Sequence, residues 1–344
     1  MHRRAIISDI HGNLPALDAV LADIRTQHVD DIVCLGDICG YGPQPIECIE
    51  RVRSETAWTL LGNHDEAIYL QPVNFSRNAY DAIVWQRTLL DPAKMGPDSP
   101  EHAGAQERWE WLKSLAPSKI EKNIRYVHAS PRDPIHEYIL KEDFDVSCGG
   151  PTHIGSEIMA DVDWLCFCGH SHRPGIVAED YKWWTPEELA DYKSLIRPGF
   201  KTIVNVGSVG QPRDGHPEAC YVIFEYDPPK ETPSGTQSCV AAAHSLDATI
   251  ILTRVPPPAP PVLSPPPPTT KATPEQPDEK GAYHDEETRS EQDTELQRAR
   301  ETMVLLTPKV YFRRVAYDVH DTQTRFFAIP ELPRYNGIRL ALGK

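Results

Sequence analysis

The first sixty residues alternate apolar runs with helical repeats, and this alternation limits the possible folds more than any other feature. "RRAIIS" is a short apolar run. "LPALDAVLADIRTQ" follows, with Leu14, Leu17, Val20, Leu21 and Ile24 at helical spacing, Asn13 as its N-cap and Pro15 in its first turn. "DDIVCLGD" reads as a second strand, "PQPIECIERVRS" as a second amphipathic helix and "TAWTLLGN" as a third strand. A strand–helix–strand–helix–strand order needs crossover connections, so these strands are expected to run parallel.

Further along, "SRNAYDAIVWQRTLL" and "AQERWEWLKSLAP" repeat with helical spacing. "IRYVHAS", "VDWLCFCGH", "TIVNVGS", "ACYVIFEYD" and "KVYFRRVAYDV" read as strands. Parallel strands first and sequential strands later predict a mixed α/β sandwich.

One region breaks the pattern. Residues 228–277 hold 14 of the 33 prolines, including "VPPPAPPVLSPPPP", a composition that cannot form a packed core and favours an extended, semi-rigid chain. Residues 275–301 hold ten acidic and four basic residues, a net −6 of the chain's −15. Part of this, "TELQRARETMVLL", has a helical pattern, and the rest reads as disordered. Strand-like sequence then resumes, so 228–308 is expected to be a largely disordered insertion between two neighbouring strands. Loop closure costs grow slowly with length, which lets such a site accept it. The folded domain is then 1–227 plus 309–344. The roughly 36 residues after the insertion are too few for a separate core.

The net charge of −15 disfavours nucleic acid and membrane surfaces as partners, because their phosphates are repelled at long range. No apolar stretch approaches the ~20 residues of a membrane span, and the basic N-terminus lacks a signal-peptide core. The eight cysteines do not form the dense framework of a small secreted domain. A cytoplasmic protein with reduced core thiols is expected.

Five short signals each fall at or just after a strand end: "DIH" (Asp9, His11), "GD" (Asp37), "GNHD" (Asn63, His64, Asp65), "VH" (His128) and "GHSH" (His170, His172). The carboxyl ends of strands converge on one crevice in α/β sheets. Side chains at i and i+2 of an extended segment share a side, so Asp9 and His11 should face one point. Glycines at three of the turns allow sharp bends or close approach. Carboxylates, an amide oxygen and imidazoles without thiolate disfavour a structural zinc site and suit a pair of Mn, Fe or catalytic Zn ions.

The order D-x-H, GD, GNHD, H, GHxH resembles the calcineurin-like metallophosphoesterases, and within them the small prokaryotic phosphodiesterases. "GYGPQP", "NVGSVGQPRDG" (Asn205 to Gly215) and "RRVAYDV" add to the likeness, which covers about 1–227 and 309–344. Segment 179–200, "EDYKWWTPEELADYKSLIRPGF", looks like extra sequence. The resemblance implies a four-layer α/β/β/α sandwich of two mixed sheets flanked by helices. It implies that Asp9, His11 and His172 bind one divalent ion and Asn63, His128 and His170 another, with Asp37 bridging. Mn is favoured, with Fe, Ni and Zn as alternatives. His64 would be the catalytic histidine, oriented and kept cationic by Asp65.

Such a site implies in-line attack on a small phosphate ester by a metal-bridging hydroxide, with His64 protonating or hydrogen-bonding the leaving oxygen. Ser/Thr phosphatases of this superfamily carry GDxVDRG at the second motif and an arginine before the third. Here these read "GDICGYG" and "LLGNHD", which favours a phosphodiester substrate. The alternatives are a Ser/Thr phosphatase-like monoesterase and a non-catalytic scaffold of the same fold, such as the small retromer subunit. Arg213 in "GQPRDG" has two readings, a phosphate contact or a loop arginine bonded to Asp214 or backbone. Cys39 reads as a packed small side chain rather than a pocket residue. Cys166, Cys168, His170 and His172 share strand parity, a weaker soft-metal alternative. The proline-rich insertion is suited to recruit proteins with aromatic grooves that read extended proline segments.

Overall fold

The computed structural model describes residues 1–227 and 307–344. Its strands are β1 (His2–Ile7), β2 (Asp31–Cys34), β3 (Trp58–Thr59), β4 (Ser118–Glu121), β5 (Ile124–Val127) and β6 (Leu165–Cys168). They continue with β7 (Gly175–Ala178), β8 (Trp183–Trp184), β9 (Lys193–Leu195), β10 (Thr202–Asn205), β11 (Ala219–Tyr226) and β12 (Lys309–Val315). One sheet has the order β3-β2-β1-β11-β12-β9 and the other β4-β5-β6-β10-β7-β8. The β1/β2 and β2/β3 pairs are parallel, as the opening alternation predicts, and β1/β11, β11/β12 and β12/β9 are antiparallel.

Side-chain alternation along these strands sorts the apolar residues into three cores. Ile6, Val33, Leu35, Val222 and Phe224 face the second sheet, where they meet Tyr126, Leu165, Phe167 and Val204. Their neighbours Ala5, Ile7, Cys34, Tyr221 and Ile223 face outward. That outer face is covered by α1 (Leu14–Thr26), α2 (Pro45–Glu55), α4 (Arg77–Leu90) and α5 (His102–Lys113), through residues such as Leu17, Ile24, Ile49, Ile83 and Leu112. On the far side of the second sheet, Val127, Cys166, Cys168 and Ile203 pack against Phe144, Ile158 and Met159 of two short helices, Lys141–Phe144 and His153–Ala160. The result is helices, sheet, sheet, helices. Phe167 sits between Tyr126 and Phe224, at centroid distances of 5.4 and 5.0 Å. Removing its ring from this inter-sheet core costs about 3–5 kcal/mol.

Three details differ from the sequence reading. "TAWTLLGN" yields only a two-residue strand, because Leu60 leaves β3 to form a bridge with Ala116. Segment 179–200, read only as extra sequence, supplies β8 at the edge of one sheet and β9 at the edge of the other. The C-terminal segment forms two helices, Val319–Phe327 and Arg334–Leu340. Strands β11 and β12 pair from Ala219↔Val315 to Glu225↔Lys309. The expected disordered insertion at 228–308 falls, except for 307 and 308, outside the described residues. Among the described residues, no helix is long and apolar enough to cross a membrane.

Candidate metal centre

Strand ends bring the motifs together. Asp9 and His11 follow β1, Asp37 follows β2, and His128 directly follows β5. His170 and His172 follow β6, while Asn63, His64 and Asp65 open α3 (Asn63–Tyr69). The expected extended-strand parity is not what aligns Asp9 and His11. Both have left-handed backbone, with φ of 55° and 51°, as do Asp37, His170 and His172 at 55°, 62° and 58°. Such conformations cost about 1–3 kcal/mol each and persist only where the surroundings enforce them. Here the two loops are zipped together. Asp9 N–H donates to Gly36 O at 3.0 Å, and the N–H groups of Ile10 and His11 donate to Asp37 O at 2.8 and 3.0 Å.

Six of the seven expected metal residues converge in two groups, and the seventh, Asn63, lies beside His128. Asp9, His11, Asp37 and His172 form one, and Asp37, His128 and His170 the other, so Asp37 belongs to both. All six are buried. His172 Nε2 lies 3.1 Å from Asp9 Oδ1 and 3.0 Å from His11 Nε2. His128 Nε2 lies 3.3 Å from Asp37 Oδ2, 3.1 Å from His170 Nδ1 and 3.2 Å from Asn63 Oδ1.

The outward nitrogen of each ring meets a carbonyl, which can only accept a hydrogen bond. His11 Nδ1 donates to Cys39 O at 2.8 Å and His172 Nδ1 to Gln211 O at 2.5 Å. His128 Nδ1 donates to Leu35 O and His170 Nε2 to His136 O, both at 3.1 Å. The inward nitrogens of the neutral rings are therefore lone pairs facing lone pairs. Each aspartate likewise uses one oxygen on backbone, Asp37 Oδ1 accepting from His64 N–H at 2.8 Å and Asp9 Oδ2 from His170 N–H at 3.0 Å. Asp9 Oδ1 and Asp37 Oδ2, the oxygens that face the rings, have no donor from the backbone or from the neutral rings. Buried acceptors without donors are costly, and divalent cations satisfy all of them at once. The residues present fit two such ions. Carbonyl partners on the outward nitrogens are also the usual device for orienting histidine ligands.

Burial holds three of these imidazoles neutral, His170 falling to about 3 and His11 and His172 well below the ordinary histidine range. His128 is the exception. Burial pulls it down, but Asp37 beside it prevails and raises it to about 9.

Gly62 and Gly169 press the backbone onto the two carboxylates. A Cβ on Gly62 would overlap Asp37 Oδ1, and one on Gly169 would overlap Asp9 Oδ2 and Ser8 Oγ.

His64 lines a pocket of about 560 Å³ beside the metal residues, with Tyr41, Asn63, Phe75, Tyr138, His170, Arg213 and Arg339 also in its wall. Its ring sits 4.7 Å from that of Tyr41, 4.8 Å from His11 and 4.9 Å from Phe75. The expected pairing with Asp65 is absent. Asp65 accepts from the backbone N–H groups of Asp37, Cys39 and Gly62 at 2.7, 2.9 and 3.3 Å, while His64 Nδ1 has no partner. Nor is His64 cationic: burial lowers it to about 4, although Asp37 pulls the other way.

Arg213 does not pair with Asp214, which instead pairs with Arg314. It donates to Tyr41 Oη at 3.1 Å and Gln211 Oε1 at 3.0 Å. Cys166 and Cys168 lie in the outer core of the second sheet, and no cysteine joins either donor group among the described residues. This removes the soft-metal alternative. Cys39 is packed in the core beneath the first sheet. Sequence reasoning missed Tyr138, whose ring stacks on His170 at 3.9 Å, and Tyr41 and Arg339. Tyr41 stands in "GYGPQP", a stretch that carried a signal, whereas Tyr138 and Arg339 lie in no recognisable motif.

Comparison with known proteins agrees with this geometry. Residues 2–174 match the family model described as calcineurin-like phosphoesterase. An uncharacterized protein of Methanocaldococcus jannaschii is 35% identical over 229 residues, which is 64% of this chain and 82% of that protein. The crystal structure of a metallophosphoesterase from Sphaerobacter thermophilus superimposes with a TM-score of 0.61 at 28% identity, covering 100% of this chain and 99% of that one. A hypothetical protein from Pyrococcus horikoshii shares the fold, with a TM-score of 0.57 at 16% identity and the same coverage. The family and the buried Asp/His cluster indicate divalent metal ions and a metal-dependent hydrolase. With its fold, its donor set and a family match spanning half of its length, the chain belongs to the calcineurin-like phosphoesterases.

Proposed function

We propose that the chain is a dinuclear-metal phosphodiesterase acting on small phosphate esters. The observation that carries this reading is that Asp37 is shared by two groups of buried donors. Asp9, His11 and His172 would hold one ion, Asn63, His128 and His170 the other, and Asp37 both. When bound, the ions supply Lewis acidity and lower the pKa of water towards ~7, which makes a nucleophile available at neutral pH. The two carboxylates offset only half of the ions' charge, so an anion is drawn to the site of an acidic protein.

His64 faces the same pocket and is neutral, so it serves the leaving oxygen as a hydrogen-bond donor from a ring N–H rather than as an imidazolium. Tyr41 and Phe75 restrict its position. The pocket, about 560 Å³ and walled by aromatic rings, suits a small ester better than a phosphoprotein. The absence of arginine from two motif positions is a weaker argument for a diester than it looks in the sequence, because the fold brings Arg213 and Arg339 to the pocket from elsewhere. The test is a screen of purified protein with Mn²⁺, Fe²⁺, Ni²⁺ and Zn²⁺ against aryl phosphodiesters and monoesters. Metal-dependent turnover that favours the diester is expected. A tenfold preference for the monoester, or no turnover with any metal, contradicts the reading.

A further inference from the structure

Most buried or half-buried arginines in this chain face a carboxylate. Arg3 pairs with Glu225, Arg4 with Asp31 and Glu121, Arg313 with Asp23, and Arg314 with Glu187 and Asp214. Among the described residues, Arg213 and Arg339 face no acidic side chain, and neither pairs with an aspartate or glutamate, in a protein of net charge −15. Both line the pocket that holds His64, Asn63 and His170. Both guanidinium carbons lie near the ring of Tyr41, at 5.6 and 5.7 Å from its centroid.

Their partners are not acidic side chains. Arg213 donates to Tyr41 Oη and Gln211 Oε1, while its Nε is buried with no acceptor. Arg339 Nε donates to the main-chain oxygen of Lys344, and its guanidinium also lies 5.8 Å from the ring centroid of Tyr335. Burial and the nearby Arg213 both lower the Arg339 guanidinium from its usual range. Two cations gathered on one aromatic ring repel each other, and an anion between them relieves that repulsion while supplying the missing acceptors.

We propose that Arg213 and Arg339 form a clamp for a second anionic group of the substrate, so that the pocket selects esters bearing a further phosphate beside the one that reacts. The proposal rests on the phosphoesterase reading and deepens it. The reacting phosphate lies at the Asp/His cluster, and the second phosphate lies against the arginines. Arg339 comes from the helix Arg334–Leu340, well outside residues 2–174 that match the family model. One half of the clamp therefore comes from the C-terminal segment and the other from the loop that carries Arg213. Asn336 anchors that helix by donating to Asn78 O at 3.1 Å.

The test is calorimetric binding of tripolyphosphate and of orthophosphate to the manganese-loaded full chain. The wild type should bind tripolyphosphate at least tenfold more tightly than orthophosphate. Arg339→Gln should weaken tripolyphosphate at least tenfold and orthophosphate less than threefold, and Arg339→Lys should recover part of the loss. Arg213→Gln should act in the same direction, which covers the case in which Arg339→Gln fails to fold. Folded variants that bind tripolyphosphate within threefold of the wild type overturn the clamp. So does a wild type that does not prefer tripolyphosphate. Turnover of bis(p-nitrophenyl) phosphate by the wild type is measured in parallel. If turnover is absent while the arginine dependence holds, the clamp stands and the hydrolytic reading falls. Turnover without arginine dependence gives the reverse.

Discussion

Asp65 follows His64 in the chain but is not its partner: its carboxylate accepts from the backbone N–H groups of Asp37 and Cys39 at 2.7 and 2.9 Å. It therefore acts on Asp37, the residue common to both donor groups, by fixing the loop that carries it. Burial and the nearby charge of Asp37 raise the Asp65 carboxyl to about 7, and above that pH its charge-assisted hydrogen bonds contribute about 1.5–3 kcal/mol each. Asp65→Asn places an amide hydrogen against one of these donors. It should lower the stability of the protein by at least about 1.5 kcal/mol, read as a shift in the urea midpoint with an unchanged slope. An unchanged midpoint means that the carboxylate does not organise the loop.

His64 is expected to matter for turnover and not for metal. His64→Ala should lower kcat by about 10²–10³-fold while the protein still carries two ions per chain by elemental analysis. Loss of one ion places His64 among the ligands. Turnover equal to that of the wild type removes it from the reaction.

Stability should depend on pH with a definite sign. In the metal-stripped protein, burial lowers His64 to about 4 and His170 to about 3, and lowers His11 and His172 as well. Below about pH 6.5 the unfolded chain takes up protons at these positions and the folded chain does not. Unfolding then consumes protons, so stability falls as pH drops from 6.5 towards 4. His128 works in the opposite sense. Its folded value of about 9 contributes stability that is present below about 6.5 and is lost as pH rises through 9. Thermal melts across pH 4 to 9.5 should show both limbs. Metal binding near His128 must displace its proton, so metal affinity should rise with pH in this range.

Gly169→Ala tests the close packing around Asp9. Its Cβ would overlap Asp9 Oδ2 and Ser8 Oγ. Overpacking of this kind costs about 1–3 kcal/mol. The expected result is a folded protein with a lower melting temperature that has lost the ion held by Asp9, His11 and His172. Retention of both ions with a wild-type melt contradicts the packing argument.

The segment between β11 and β12 can be removed in principle, because Glu225 and Lys309 already face each other, with Oε1 and Nζ 3.2 Å apart. Replacing residues 228–306 with a four-residue turn should leave metal content unchanged and kcat/KM within about threefold. Failure to fold would show that the catalytic unit depends on this segment.

Much of this site was legible in the sequence, because the metal residues sit in short motifs at strand ends. Asp9, His11, Asp37 and His128 each follow an apolar run that marks its strand, and the glycines of "GNHD" and "GHSH" mark the tight approaches. The adjacency of His64 and Asp65 was misleading. A left-handed loop and a helix start point neighbouring side chains in directions that extended parity does not predict. Segment 179–200 looked like an addition because strands of two and three residues, Trp183–Trp184 and Lys193–Leu195, are too short to show alternation. Arg339 carried no signal at all. It reaches the pocket from a seven-residue helix at the far end of the chain, and only the packing of that helix brings it beside Tyr41.

The most direct test of the account is an anomalous-scattering map from crystals grown with manganese. Two peaks are predicted, one among Asp9, His11 and His172 and one among Asn63, His128 and His170, with Asp37 next to both. A single peak, or two peaks that do not share Asp37, contradicts the dinuclear centre on which the proposed function depends.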